Sequence, residues 1–216
     1  MRSKEEIKIW WDQTYNSMRN AIYVRDEEGV LLVYDFSDNN PPTNTPVMDQ
    51  IEDKCIRTFY KAVDKWSVNW KVVKKKLKFE AEGIFNFLPL EQVMQDWDDD
   101  FGGNSWAPDM KGFRPFDMFY EMEGQVGFFV GRPDKKGLYL SKTDGETQPL
   151  HVDFEGYLKL LTLSKGYGWW QNALVQINTG ITQPNVAGFK ENMPKIFPEF
   201  NWDEFVALYQ SVRIDK

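Results

Sequence analysis

The chain has 216 residues, enough for one large domain or for a domain with an extension, and its 16% aromatic content can fill a sizeable core. A net charge of −7 argues against a nucleic-acid backbone as partner, because that affinity comes from Lys and Arg neutralising phosphates, and is compatible with a basic protein partner. One cysteine, Cys55, excludes an intramolecular disulfide, and no apolar run reaches the roughly eighteen residues of a membrane span.

The N-terminal MRSKEEIKIWW is charged and lacks the apolar stretch of a signal peptide, so a cytoplasmic protein is expected. Ser3 and Glu6 match a capping box, and Ile7, Trp10, Trp11, Tyr15 and Met18 follow at helical spacing, which predicts an amphipathic helix to about Asn20. Ala21 to Arg25 and Val30 to Phe36 read as a hairpin around Asp26–Gly29. The Pro-rich stretch Ser37 to Pro46 reads as a surface loop or as a boundary, dividing the chain into a 1–46 extension and a 47–216 domain.

Thr45 followed by Pro46 signals a helix whose buried stripe is Ile51, Cys55, Phe59 and Val63; a small core residue is the expected role of Cys55. Trp66 to Val72 alternates apolar with polar residues and reads as a half-buried strand. The basic run Lys74 to Lys76 fits the solvated turn of a hairpin, and Leu77 to Phe87 one or two strands broken near Gly83. Pro89 to Trp97 is a short helix candidate, followed by an acidic loop, Asp98 to Pro108. Phe113–Glu121 and Gln125–Val130 read as strands turning at Glu123-Gly124.

The stretch Leu150 to Trp170 organises the rest. Two strands, Gly137 to Lys142 and Gln148 to Val152, joined by a turn at 143–146, lead into a helix with Phe154, Tyr157, Leu158 and Leu161 on one face. Asp153 suits its N-cap, and Lys165 with Gly166 supplies a cation and a positive-φ residue at its end. Trp169 to Ile177 reads as a second helix, Thr179 to Val186 as a loop, and Asn201 with Glu204 opens a last helix buried through Trp202, Phe205, Val206 and Tyr209. Strands grouped in a block predict an α+β fold with a mainly antiparallel sheet flanked by helices.

Few residues suggest chemistry. His151 is the one histidine; with Asp153 nearby it could be a base oriented by a carboxylate, or a structural histidine bonding backbone or Asp153. No companion nucleophile is signalled, so a hydrolase built on His151 is the weaker alternative. One His and one Cys do not make a zinc site. Asp96, Asp98 and Asp100 share the spacing of a calcium loop, but Phe101 replaces the required glycine and Ala107 the closing carboxylate. The tract is then an acidic patch for a basic partner or a solvated loop. Trp169-Trp170 is either an exposed aromatic platform or core. No metal or cofactor is expected.

Three stretches in order resemble bacterial members of the SUKH superfamily, the group that includes the yeast regulator of cell-wall synthesis. They are Phe59-Tyr60 followed by Trp66 to Val72, Phe87 to Trp97 with its LPLE…W pattern, and Leu150 to Leu161 continuing through Lys165 to Gln171. Phe113 to Asp117 fits the segment between the second and third, so the resemblance spans about Val47 to Ile177. Asp64-Lys65 departs from the family's frequent Asn-Gly, and residues 3–36 and those after Gly180 lie outside the match. The resemblance implies an α+β sheet flanked by helices and a non-enzymatic protein-binding role, typically an immunity protein that neutralises a cognate bacterial toxin domain, often a nuclease. A regulatory or scaffold adaptor, as in the eukaryotic branch, is the alternative. Asp96, Asp98, Asp99 and Asp100 are the expected partner-binding residues.

Overall fold

The computed structural model describes residues 4–38, 46–74, 77–97, 110–120, 123–142 and 146–216. Helix α1 (Lys4–Glu27) is longer than its sequence suggested. Trp11, Tyr15, Met18 and Ile22 form one buried stripe, so the β-branched run near Ile22 continues the helix instead of starting a hairpin. Burial of Ile22 in line with Met18 outweighs local strand propensity. The chain then turns at Gly29, where φ is 66°, and enters β1 (Leu31–Asp38). Ser3 and Thr45, expected at caps, lie outside the described residues.

The helix expected from Pro46 is broken in two. A 3-10 turn, Pro46–Gln50, precedes a fresh start at Asp53, whose Oδ1 accepts from the N–H groups of Cys55 (2.6 Å) and Ile56 (3.0 Å) at the head of α2 (Lys54–Tyr60). The restart rotates the buried face: Ile56, Phe59 and Tyr60 are buried, and Cys55 is only half-buried.

Seven strands form one antiparallel sheet in sequence order. After β1 come β2 (Trp66–Val72), β3 (Glu82–Phe87), β4 (Phe113–Phe119), β5 (Gly124–Phe129), β6 (Tyr139–Lys142) and β7 (Thr147–Pro149). The α+β class with helices flanking an antiparallel sheet is as the sequence indicated. Only Glu82–Phe87 of the 77–87 stretch is a strand, and α3 (Leu90–Val93) is a single turn.

The sheet has two unlike faces. Trp66, Val68 and Trp70 alternate with Ser67, Asn69 and Lys71, and pair with Phe87, Phe85 and Gly83 on one side. That side meets the helices: Trp11 packs edge-on to Trp66 at 4.7 Å, Phe59 to Phe87 at 5.5 Å and Phe154 to Phe116 at 5.0 Å. The other side carries Ser67, Asn69, Ile84 and Asn86.

Strands β3 and β4 share a single paired position, Phe87 opposite Asp117, and then diverge. The gap is closed by the segment after α4 (Phe154–Ser164), which runs along β3: Ile84 N–H donates to Gly166 O (2.8 Å) and Gly168 N–H to Glu82 O (2.9 Å). Lys165 as well as Gly166 adopts positive φ (52° and 69°) to make that turn, where the sequence pointed to Gly166 alone. Asp153 caps α4, its Oδ1 accepting from Gly156 N–H at 2.7 Å. Trp170 is core, whereas the half-buried Trp169 stacks on Tyr120 at 5.8 Å. Helices α5 (Gln171–Thr179), α6 (Val186–Ile196) and α7 (Trp202–Val212) complete the fold. Helix α6 was not read from the sequence, since Gly188 and Pro194 interrupt its propensity while Val186, Phe189, Met193 and Ile196 are buried. Asn201 caps α7 as expected, accepting from Asp203 N–H (2.8 Å) and Glu204 N–H (3.2 Å).

Candidate functional site

The side of the sheet away from the α1–α2–α4 layer holds a groove of about 690 Å³. Its floor is Ser67 and Asn69 of β2 with Ile84 and Asn86 of β3; its walls include Gln95, Trp97 and Tyr120. Strand alternation dictates this composition, because the same residues that interleave the buried tryptophans must point to the opposite face. Toward the rim, Ser67 Oγ donates to Asp35 Oδ2 at 3.0 Å and lies 2.7 Å from Ser37 Oγ, so one hydroxyl holds the Asp35 carboxylate and a second bonds that hydroxyl. Trp97 is fixed by its Nε1–H donating to Gln92 O at 2.9 Å. The groove is lined by amide and hydroxyl groups that both donate and accept, by one acid, Asp35, and one base, Lys65, and by aromatic walls, which is suited to hydrogen-bonding a protein segment.

Of the four aspartates expected to bind a partner, Asp98, Asp99 and Asp100 lie outside the described residues. Asp96 is 79% exposed at its side chain, with Oδ1 4.0 Å from the Arg114 guanidinium. Trp97, the next residue, lines the groove.

His151 takes a different partner from the one its sequence position suggested. Asp153 is engaged at the helix cap, and His151 Nδ1 sits 3.1 Å from Asp215 Oδ2 instead. Arg213 holds the same carboxylate through Nε (2.8 Å) and Nη2 (2.6 Å). Those hydrogen bonds, helped by His151, pull the Asp215 carboxyl down to about 2. Ile214 N–H donates to His151 O at 3.0 Å, and Val152 bridges to Arg213. His151 thereby ties the C-terminal segment to the strand end.

A buried acid network lies where β3 and β4 part. Asp117 is 0% exposed; its Oδ2 accepts from Tyr157 O–H at 2.6 Å and its Oδ1 from Asn86 N–H at 2.8 Å. Gln171 Nε2–H in turn donates to Tyr157 Oη at 2.9 Å. Burial pushes the Asp117 carboxyl up to about 7, against the opposing pull of those two hydrogen bonds. Sealed from solvent, this carboxylate ties a strand to a helix. One signal in the sequence could have flagged it: an acid inside the apolar strand Phe113–Phe119.

A second cavity, of about 640 Å³, lies between the 3-10 turn, the β5–β6 connection and the start of α4. Ile56, Phe128, Leu138 and Phe154 supply apolar walls, and Asp53 and Asp153 both face it while serving as helix caps. Burial raises the Asp53 carboxyl, and the nearby Asp153 adds to the rise. Among the described residues, no group of three His, Cys, Asp or Glu side chains could hold a metal ion, and no helix is long and apolar enough to cross a membrane.

Fold and groove together define an α+β protein with one helix-covered face of an antiparallel sheet and one polar, grooved face. No family model matches the chain, and no curated protein and no solved structure matches it.

Proposed function

We propose that this chain is a non-enzymatic protein-binding protein of the immunity type, which acts in the cytoplasm by capturing and neutralising a cognate toxin domain. The observation that supports the reading best is the polar groove over the sheet, rimmed by Asp35, in a chain of net charge −7. An acidic binder steers toward a basic surface and blocks it through complementary potential, and a nuclease cleft, which must hold phosphates, is one such surface. The resemblance of residues 47–177 to SUKH proteins points the same way. In this reading Asp96, next in sequence to the groove-lining Gln95 and Trp97, contributes to steering together with Asp98, Asp99 and Asp100, which lie outside the described residues.

The test is capture of the tagged chain from cells of its source, together with any toxin domain encoded beside it, and growth rescue on co-expression. A stoichiometric toxin domain and restored growth support the proposal. Recovery of housekeeping complexes without a toxin favours the adaptor role instead. With the captured toxin, replacing the four aspartates by Asn slows association, most strongly at low salt, because exposed charges act over a Debye length of about 10 Å at 0.1 M. An unchanged on-rate removes these residues from the account.

A further inference from the structure

We propose that the outer edge of β1 is a strand-addition site for an extended, basic segment of the protein partner. This deepens the partner-binding reading and rests on it for the nature of the partner.

The two margins of the sheet are unlike. β7 is three residues long and ends in Pro149, which has no N–H to offer an added strand. β1 is eight residues long, contains neither Pro nor Lys, and pairs only with β2 among the described residues. It is blunted by a bulge at Tyr34, between the pairs Val33–Trp70 and Asp35–Asn69, and by its acids, which deter a like-charged strand. Along this margin Leu32 is 41% and Tyr34 58% exposed, and Tyr23 of α1, 38% exposed, packs on Phe36 of the strand. An edge so long and so apolar invites pairing.

Charge selects the occupant. β1 carries two acids and no base. Aligned antiparallel with a second copy over its full length, Asp35 would stand opposite Tyr34 of the other chain and find no base on that strand, between chains of net charge −7 each. A basic segment meets the opposite situation. Asp35, fixed by Ser67, faces the groove side, so a Lys or Arg on that side of the added strand would reach it. On the helix side the margin offers the Tyr23 and Phe36 rings, 5.4 Å apart, with the Arg19 guanidinium already 5.3 Å and 5.7 Å from them. A second cation there would be repelled. The margin thus matches a strand that alternates basic residues toward the groove with apolar residues toward the helices.

The probe is a short synthetic peptide alternating Lys and Val, compared with one alternating Glu and Val, added to the full chain while amide exchange is followed by NMR. The expected result is slowed exchange of outward amides in residues 31–38 with the Lys peptide and not with the Glu peptide. Asp35→Lys is expected to weaken that binding about tenfold or more, and Asp35→Asn to weaken it less. Asp35 is exposed, so both variants fold, which unchanged circular dichroism verifies. Protection confined to other residues, no protection at all, equal response to both peptides, or dimerisation of the chain through residues 31–38 overturns the proposal. The parent reading fails separately: a toxin captured while residues 31–38 exchange freely overturns the strand site alone, and peptide docking without toxin capture or rescue overturns the immunity role alone.

Discussion

Replacing Asp117 by Asn isolates the cost of a buried ionisable group. The folded carboxyl titrates at about 7 against an ordinary 3.8, because burial disfavours its charged form. In the unfolded chain Asp117 is ionised from pH 5 upward, whereas in the folded protein it keeps its proton until about pH 7. A raised acid pKa means stability is greatest below the unfolded value and falls as pH rises toward the folded one. The loss approaches about 1.4 kcal/mol per pH unit midway and halves as pH reaches the folded value, or roughly 2 kcal/mol between pH 5 and 7. That is a large share of a typical stability of about 5–15 kcal/mol. The side-chain amide introduced by Asp117→Asn has no such titration. Its carbonyl can still accept from Asn86 N–H, and its NH₂ group would turn the hydrogen-bond chain around: the new amide donates to Tyr157 Oη, and, with the Gln171 side-chain amide turned over, Tyr157 O–H donates to Gln171 Oε1, which has no hydrogen-bond partner among the described residues of the native protein. The variant is expected to lose about 1 kcal/mol at pH 5 and to match or exceed the native protein at pH 8. Urea unfolding of both proteins, followed by tryptophan fluorescence from pH 5 to 8, reads the difference between them, in which all other titrating groups cancel. A difference that stays constant across that range would refute the assignment of a buried, reluctantly ionised carboxyl.

Other consequences follow from local geometry. A Cβ at Gly83 would overlap the Trp70 ring, whose Nε1–H is tied to Lys165 O at 2.7 Å, so Gly83→Ala is expected to cost about 2–3 kcal/mol and to lower the melting temperature by about 2–4 °C per kcal/mol; an unshifted melting curve would contradict the packing. Asn201→Ala removes the two cap hydrogen bonds of α7 and costs about 1 kcal/mol, while Asn201→Asp retains them, as chemical denaturation of the pair will show. The depressed Asp215 carboxyl makes its contacts stabilising above the ordinary value of 3.8, with the contribution lost as pH falls toward about 2. Asp215→Asn is therefore expected to speed hydrogen exchange at Ile214 N–H near neutral pH; unchanged protection would mean that the tail is held by other contacts.

Much of the fold was legible because its signals are local. The alternation of Trp66 to Val72, the Asp153 cap with the Phe154–Leu161 stripe, and the Asn201 cap with Phe205 and Tyr209 each sit within a few turns or pleats, and all recur as β2, α4 and α7. The block of strands likewise indicated an antiparallel sheet of α+β class. Errors arose where local preference competes with distant packing. Ile22 belongs to α1 because it aligns with Met18 under the sheet, and the helix expected from Pro46 restarts at Asp53 because that carboxylate can cap a face directed at Phe87 and Phe154. The candidate site was less legible still. Asp35 and Ser67, Asp117 and Tyr157, and His151 and Asp215 are separated by 32, 40 and 64 positions, and no periodicity joins them. Composition and short-range pattern determined this chain's charge, class and most of its elements. Only the antiparallel meander, by returning each strand beside its predecessor and parting β3 from β4, decided which polar groups meet in the groove, which acid is buried, and which strand edge faces solvent.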